Sequence, residues 1–265
     1  MFHSGGWLGR LGGIVLATFL LLTRHPRLNA QTSLPKPTFA AGEHLEYSVS
    51  FGRLHVGSGS MSLDGLDSAG AHAMWHAVLT VSGGVPLFRV NDTISSWFDM
   101  GTFVSRRFLQ RIHEGRYKAN RDFIMDPSGP TYTKNGGPAV PSSADPLDDV
   151  SLIYFVRTLP LATGERYELP RYFQPEGNPV VIHVLRREQV TVPAGTFAAI
   201  VIQPEITSSG IFSQNGHAQL WFSDDSSRVL LQMKAGLSFG SINLYLKHVG
   251  AAVSVTPPVP GVRRH

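Results

Sequence analysis

One segment, residues 147–159, departs from the two-residue alternation that runs through most of this chain. Its sequence, LDDVSLIYFVRTL, is apolar over nearly its whole circumference when it is drawn as a helix. Asp145 is suited to cap the first free amides, Pro146 suits the first helical position, and Pro160 ends the segment. A helix that is apolar on nearly all sides is normally buried on more than one side. We therefore predict one central helix that other elements cover.

Apolar–polar alternation dominates the remaining sequence and predicts half-buried β-strands. Residues 45–51 and 75–81 alternate strictly, and residues 88–98 repeat the pattern, with Asp92 and Ser96 in phase with the apolar positions. Clusters of Gly, Pro and Asn separate these runs and are typical of turns. The pattern predicts a mainly β fold: a single curved antiparallel sheet or open barrel of about ten to twelve strands wrapping the helix.

The first thirty residues have the pattern of a secretory signal peptide. An uncharged run of twelve residues, 11–22, follows Arg10, and Ala30 offers a small residue for cleavage. Spanning a bilayer needs about 20 residues, so the run is too short for a stable transmembrane span. We expect cleavage near Ala30 and a periplasmic protein. Arg24 and Arg27 are unusual after such a run, so an uncleaved signal that tethers the chain to the inner membrane stays open.

The net charge gives no reason to expect a nucleic-acid partner. Without the three arginines of residues 1–30, the remaining 20 basic residues face 19 acidic ones, so the net charge falls from +4 to +1. The most basic stretch, residues 106–121, is interrupted by Glu114 and is typical of a solvated strand pair. The absence of cysteine excludes disulfides, thiolate metal sites and a lipid-modified N-terminal cysteine. After the signal peptide we expect three parts: a flexible lead-in at 31–41, one β domain at 42–251 and a disordered Pro-rich tail at 252–265.

Four segments, taken in order, resemble the DUF3108 family. They are residues 43–51 followed by Val56 and Gly57, residues 146–157, residues 192–197, and residues 220–225 with Arg228. The resemblance spans residues 40–250. The family consists of exported bacterial proteins of unknown function, and its β architecture is similar to the lipoprotein-carrier folds. The resemblance therefore implies a curved sheet that wraps a helix and leaves an apolar cavity, and it implies no catalytic residue.

No pattern of catalytic, cofactor-binding or metal-binding residues stands out. Residues 57–60, GSGS, lack the spacing and the following helix of a serine-hydrolase elbow. His72 and His76 are four apart, which in a strand separates them by about 13 Å, too far for one metal ion. Helix capping explains residues 148–149, Asp-Asp, and loop solvation explains residues 224–225. We predict no catalytic residue, no cofactor and no metal site.

The remaining capacity lies in aromatic and apolar side chains. Most of them should form the core, because aromatic residues dominate protein interiors. A subset should line a pocket between sheet and helix, where small-molecule sites commonly form. The pocket candidates are Tyr47, Trp75, Tyr154, Phe155, Glu205 and Trp221.

These observations favour a non-catalytic periplasmic protein that binds or chaperones an apolar or amphipathic envelope ligand, such as a lipid, a glycolipid or a glycan. One alternative is a hydrolase of envelope polysaccharide, with a carboxylate pair that spacing does not reveal. A second alternative is a structural protein that assembles through a sheet edge or an apolar patch, and the sequence carries no signal of oligomeric state. A cavity of a few hundred Å3 would favour the ligand binder. A close-packed interior would favour a scaffold.

Overall fold

In the part of the chain that the structure describes, fourteen antiparallel strands form one open sheet, and a single α-helix packs against one of its faces. The computed structural model describes residues 39–66, 73–85, 88–207, 218–237 and 240–250. The strands and helix are β1 (Glu43–Phe51), β2 (Leu54–Leu66), β3 (Met74–Val85), β4 (Phe88–Asp99), β5 (Ser105–Glu114), β6 (Tyr117–Asp126), β7 (Thr131–Lys134), β8 (Val140–Pro141), α1 (Asp149–Val156), β9 (Arg166–Leu169), β10 (Val180–Val192), β11 (Gly195–Glu205), β12 (Gln219–Ser223), β13 (Leu230–Leu237) and β14 (Gly240–Val249). The signal peptide predicted at 1–30, most of the lead-in and the predicted tail lie outside the described ranges and stay predictions.

The structure confirms a mainly β protein with one antiparallel sheet around one helix. The fourteen strands exceed the predicted ten to twelve, in part because β8 is only two residues long. Alternation is not recognisable in so few residues. Within the described part of the chain, no helix has the length and apolar character that crossing a bilayer requires.

The strands that come first and last in the sequence, β1 and β14, lie side by side near the centre of the sheet. The strand order is β8-β7-β6-β5-β4-β3-β2-β1-β14-β13-β12-β11-β10-β9. Two meanders, β1 to β8 and β9 to β14, therefore meet where β1 pairs with β14, with Leu45 opposite Val249. The strands at the two free edges, β8 and β9, come from the middle of the sequence.

Successive hairpin turns distinguish two ends of the sheet. The hairpins β1–β2, β3–β4 and β5–β6 turn at one end, which we name the hairpin end. Neighbouring turns are tied together there, since the amide of Gly115 donates to the carbonyl of Arg89 at 2.7 Å and that of Gly52 to Ser241 at 2.9 Å. At the opposite end, which we name the helix end, α1 approaches Glu43 at the start of β1. We call the sheet face that carries α1 the inner face.

The helix starts later than the sequence predicted. Asp148 is its N-cap, and its carboxylate accepts hydrogen bonds from the amides of Val150 and Ser151 at 2.8 and 2.9 Å. Asp145 and Pro146, predicted as the cap and the first helical residue, both precede the helix, and Asp145 has a left-handed backbone with φ of 49°. The prediction was wrong by one turn because both aspartates are good N-caps and only tertiary packing chooses between them. Every helical residue after Asp149 is buried, as expected for a covered helix.

Two irregular segments close the gap between the free edges of the sheet. The amide of Leu147 donates to the carbonyl of Arg171 at 2.6 Å, and the amide of Phe173 donates back to Leu147 at 2.9 Å. The ring of Phe173 lies 5.1 Å from that of Phe123 and 5.4 Å from that of Tyr132. A single β-bridge and aromatic packing, rather than a continuous pair of strands, therefore connect the two free edges beside α1.

Candidate ligand-binding site

The space between α1 and the sheet is closely packed. A gap of about 10 Å3, roughly the volume of one water molecule, remains between α1 and strands β10–β12. Its lining is apolar and consists of Leu152, Ile153, Val156, Ile182, Ile202, Pro204, Leu220 and Phe222. Small-molecule pockets occupy about 300–1,000 Å3. The apolar cavity that the family resemblance implied is therefore not found in this part of the structure.

Three of the predicted pocket residues, Tyr47, Tyr154 and Phe155, belong to the core. Each is at most 3 % exposed. The hydroxyl of Tyr47 donates to the carbonyl of Leu230 at 2.9 Å, and the ring of Tyr154 lies 5.1 Å from that of Phe39. Burial raises the pKa of both tyrosines above its usual value, so both hydroxyls stay protonated. These side chains hold the helix in place and leave no room for a ligand.

A buried ion pair joins the C-terminus of α1 to the first strand. Arg157 donates two hydrogen bonds to the Glu43 carboxylate, at 2.6 and 2.8 Å, and a third to the carbonyl of Ser227 at 2.8 Å. Both charged side chains are at most 1 % exposed. Burial alone lowers the pKa of Arg157, but the charge and hydrogen bonds of Glu43 outweigh it and raise the pKa above its usual value. The guanidinium also lies 4.7 Å from the centre of the Phe39 ring. The pair is therefore enclosed and has a structural role.

The other three pocket candidates lie apart from one another. Trp75 is half-buried at the helix end, with its ring 6.0 Å from Phe39. The indole of Trp221 donates to Glu188 at 2.6 Å, on the outer face of the sheet. Glu205 also lies on the outer face, 3.5 Å from the His183 ring. The six candidates therefore do not form one pocket, because alternation fixes which residues share a face but not which side is covered.

The carboxylate pairs singled out in the sequence have local structural partners. Asp148 is fully buried, and besides the helix amides it accepts a hydrogen bond from Ser96. Asp149 accepts one from the Tyr172 hydroxyl at 3.0 Å, while burial and the neighbouring charge of Asp148 raise its pKa to about 6. Asp224 accepts a hydrogen bond from Arg187 at 2.9 Å, on the surface.

Of the two histidines singled out by their spacing in the sequence, His76 lies in the described residues and is half-buried. His76 stacks on Trp97 with ring centres 4.4 Å apart, and burial lowers its pKa. His72 lies outside the described residues. In the ranges that the structure describes, no group of three or more His, Cys, Asp or Glu side chains is placed to hold a metal ion.

A polar cluster that the sequence analysis missed lies on the inner face of β4–β6 near the hairpin end. We name Asp92, Gln110, Glu114, Tyr117 and Arg121 the polar cluster. Strand register places Gln110 opposite Arg121 and Glu114 opposite Tyr117. The guanidinium of Arg121 donates to Gln110 at 3.1 Å and to the hydroxyl of Tyr117.

The two acidic members of the polar cluster are near neighbours. The Asp92 carboxylate accepts the amide of His113 at 2.7 Å. Partial burial raises the pKa of Glu114, the charge and hydrogen bonding of Asp92 raise it further, and Arg121 opposes the shift. Glu114 therefore retains its proton more readily than an isolated glutamate does.

Apolar side chains flank the polar cluster on the same face. Val81 lies directly opposite Asp92, and Ile94 lies directly opposite Gln110. Both are half-buried, like Val56 on β2 and Ile242 on β14, and all four pack against the core. The inner face thus changes from a closed core at the helix end to a half-exposed surface with separate apolar and polar parts. Such a surface can hold a molecule that has an apolar portion and a hydrogen-bonding head.

One signal in the sequence could have located this cluster. Asp92 lies in phase with Ile94 and Phe98 in β4, at a position where alternation predicts an apolar residue. Glu114 and Arg121 are likewise in phase with buried phenylalanines of β5 and β6. We interpreted this stretch as a solvated strand pair because its net basic composition concealed which residues alternate inward.

Comparison with solved structures identifies similar folds. A β-barrel-like protein of a domain of unknown function, DUF1849, from Brucella abortus is 8 % identical and has a TM-score of 0.50, with 80 % of this chain and 98 % of that chain covered. This similarity shows the fold alone. A candidate exported protein with a YmcC-like fold from Bacteroides fragilis is 10 % identical over 83 % of this chain and all of its own, with a TM-score of 0.36. A hypothetical protein from Chlamydia trachomatis is 9 % identical over 85 % of this chain and 95 % of its own, and its TM-score is also 0.36.

Comparison of sequences identifies the family. No curated protein matches the chain. The profile of a family described as a protein of unknown function, DUF3108, matches residues 46–247, which include every strand from β2 to β13, the helix and the polar cluster. This match confirms the resemblance found in the four sequence segments. The chain belongs to the DUF3108 family.

Proposed function

We propose that this protein is an exported, non-catalytic envelope protein that binds an amphipathic ligand with a hydroxyl-rich head, such as a glycolipid. The proposed binding surface is the inner face at the hairpin end rather than an internal cavity. The observation that carries the proposal is the polar cluster beside half-buried apolar side chains, in a protein whose helix end is closely packed.

The composition of the polar cluster suits a head group rich in hydroxyl groups. Arg121 and Gln110 offer donors, and Gln110 and the carboxyl pair offer acceptors. A carboxyl pair that retains a proton can both donate and accept a hydrogen bond, as a sugar hydroxyl does. The apolar part of the ligand would lie along Val81 and Ile94, which are directly paired with members of the cluster.

The proximity of Asp92 and Glu114 favours binding over glycoside hydrolysis. The two carboxyl groups of a glycosidase are about 5 to 10 Å apart across a cleft, so that a sugar or a water fits between them. Asp92 and Glu114 are near neighbours instead, close enough for the charge and hydrogen bonding of Asp92 to raise the pKa of Glu114. The close-packed interior, in contrast, also fits the second candidate function, a structural protein of the envelope, which assembles with other proteins and carries no ligand.

Native mass spectrometry of the full chain, expressed with its N-terminal segment in a Gram-negative host and recovered from the envelope, tests the proposal. We expect a co-purifying lipid or glycolipid on the wild type and on Arg111→Gln, but not on Arg121→Gln. Arg111 is the matched control because it lies on the same strand pair but is exposed on the outer face.

Two results would count against the ligand binder. A wild-type protein free of any co-purifying molecule, together with a defined oligomer in light scattering, would support the structural alternative. A bound molecule retained equally by both variants would place the ligand elsewhere on the protein.

A further inference from the structure

Large apolar side chains are exposed at the hairpin end. Leu54, Phe88 and Tyr117 are 60, 43 and 50 % exposed, and each lies at or next to a different hairpin turn. They are three of the five large apolar side chains that are exposed in the described residues; the other two, Ile124 and Val140, lie away from these turns. Exposed apolar side chains that gather at one end of a molecule mark an interaction surface.

Positive charge accompanies these side chains. Arg53 adjoins Leu54, Arg89 adjoins Phe88, and Arg116 precedes Tyr117; Lys118 follows it. All four cations are exposed, and none forms an ion pair with a carboxylate of the described residues. We name the three apolar side chains and the four cations the basic apolar rim.

The rim is held in a fixed arrangement rather than on separate loops. The ring of Phe88 covers Gly115 so closely that a Cβ there would lie 2.8 Å from it. The hydrogen bond from Gly115 to Arg89 joins the same two hairpins. A preformed surface loses little conformational entropy when it binds, which favours docking on a flat partner.

We propose that the basic apolar rim docks on the surface of an anionic phospholipid bilayer. Apolar side chains of such a surface enter the boundary between head groups and acyl chains, and the neighbouring cations contact the lipid phosphates. Charge complementarity selects an anionic bilayer over a second copy of this chain, because a copy would present the same cations. The docked orientation turns the polar cluster toward the membrane, but docking does not depend on the proposed ligand.

The absence of cysteine permits a site-specific test on the full chain. Leu54→Cys and Ile124→Cys each provide a single attachment point for an environment-sensitive fluorophore. Both side chains are more than half exposed, and only Leu54 lies on the rim. With vesicles of phosphatidylcholine containing one quarter phosphatidylglycerol, we expect emission to increase strongly at position 54 and to stay unchanged at 124. Any binding through residues 11–22 is common to both variants, so the difference reports the docked face.

A second measurement tests the role of charge. Replacing Arg53, Arg89, Arg116 and Lys118 together by Gln should lower binding to these vesicles by up to about a thousandfold at low salt. Pure phosphatidylcholine vesicles should bind the wild type and this variant alike, and 1 M NaCl should remove the preference for anionic vesicles. Equal responses at positions 54 and 124, or an undiminished affinity of the charge variant, would overturn the proposal. Dimer formation through the rim without vesicle binding would overturn it as well.

Discussion

Removal of the guanidinium of Arg157 should be among the most destabilising single changes in this protein. The substitution Arg157→Met keeps most of the side-chain volume but leaves the Glu43 carboxylate, which is completely buried, without its counter-ion. It also removes three hydrogen bonds and the contact with the Phe39 ring. Loss of one partner from a buried ion pair costs about 3–5 kcal/mol. For a domain of this size the expected fall in Tm is about 6–20 °C.

Urea unfolding followed by circular dichroism gives the free energy of unfolding, and the chain contains a matched control. Arg107→Met breaks another arginine–carboxylate pair, with Asp122 at 2.8 Å, whose side chains are 45 and 29 % exposed. Exposed pairs contribute about 0–1 kcal/mol, so this variant should remain close to the wild type.

A double-mutant cycle separates the ion pair from simple loss of packing. Glu43→Leu combined with Arg157→Met removes both charges, and we expect it to be at least about 2 kcal/mol more stable than the sum of the two single effects. If the double variant loses the full sum, or if Arg157→Met is no worse than Arg107→Met, the pair is not the electrostatic link between α1 and β1 that we describe.

Three further substitutions test separate features of the structure by the same unfolding measurement. Asp149→Asn should raise the free energy of unfolding by about 1–3 kcal/mol at pH 8 and leave it unchanged near pH 4. A native pKa of about 6 means that the folded state disfavours the charged form of Asp149, and this penalty disappears as the pH falls below 6. An equal gain at both pH values would contradict this. Gly57→Ala should lower the free energy of unfolding by about 3 kcal/mol or more, because the added Cβ would lie 2.1 Å from a backbone oxygen of β3. The control Gly52→Ala, with φ of 57° and open space around it, should lower it by about 1–2 kcal/mol. Similar losses in the two variants would show that β2 and β3 can separate freely. Tyr47→Phe should cost about 1–3 kcal/mol by leaving the buried carbonyl of Leu230 without its donor, and a neutral effect would mean that another group replaces the hydroxyl.

Sequence reasoning predicted the parts of this fold that depend on local periodicity. Alternation identified the long strands, and the continuous apolar run identified the single covered helix. Sequence reasoning placed the N-cap at Asp145 instead of Asp148, because aspartate is a good N-cap at either position. Phe88 shows the same limit, since it alternates with the core residues of β4 yet is 43 % exposed beyond the end of the core.

Features that depend on the path of the sheet in space could not be predicted. Periodicity did not show that β14 pairs with β1, or that Trp221 and Glu205 lie on the outer face. Periodicity also did not show that side chains such as Tyr154 fill the space where the resemblance to DUF3108 implied an apolar cavity. The polar cluster could have been found, because Asp92 breaks the alternation of β4 at a position in phase with Phe98.

The pairing of β1 with β14 has a consequence for how the chain acquires its structure. Leu45 and Val249 pair across more than two hundred residues, and Arg157 cannot meet Glu43 until the helix has been synthesised. Pairing of strands so far apart in the sequence adds to the entropic cost of folding and slows it. In the β1–β8 half, β1 is paired with β2 on one side only, and its other edge stays unpaired until β14 has been synthesised. For a chain exported in the unfolded state, as the predicted signal peptide implies, β14 would be the last strand to emerge and the one that completes the pairing of β1.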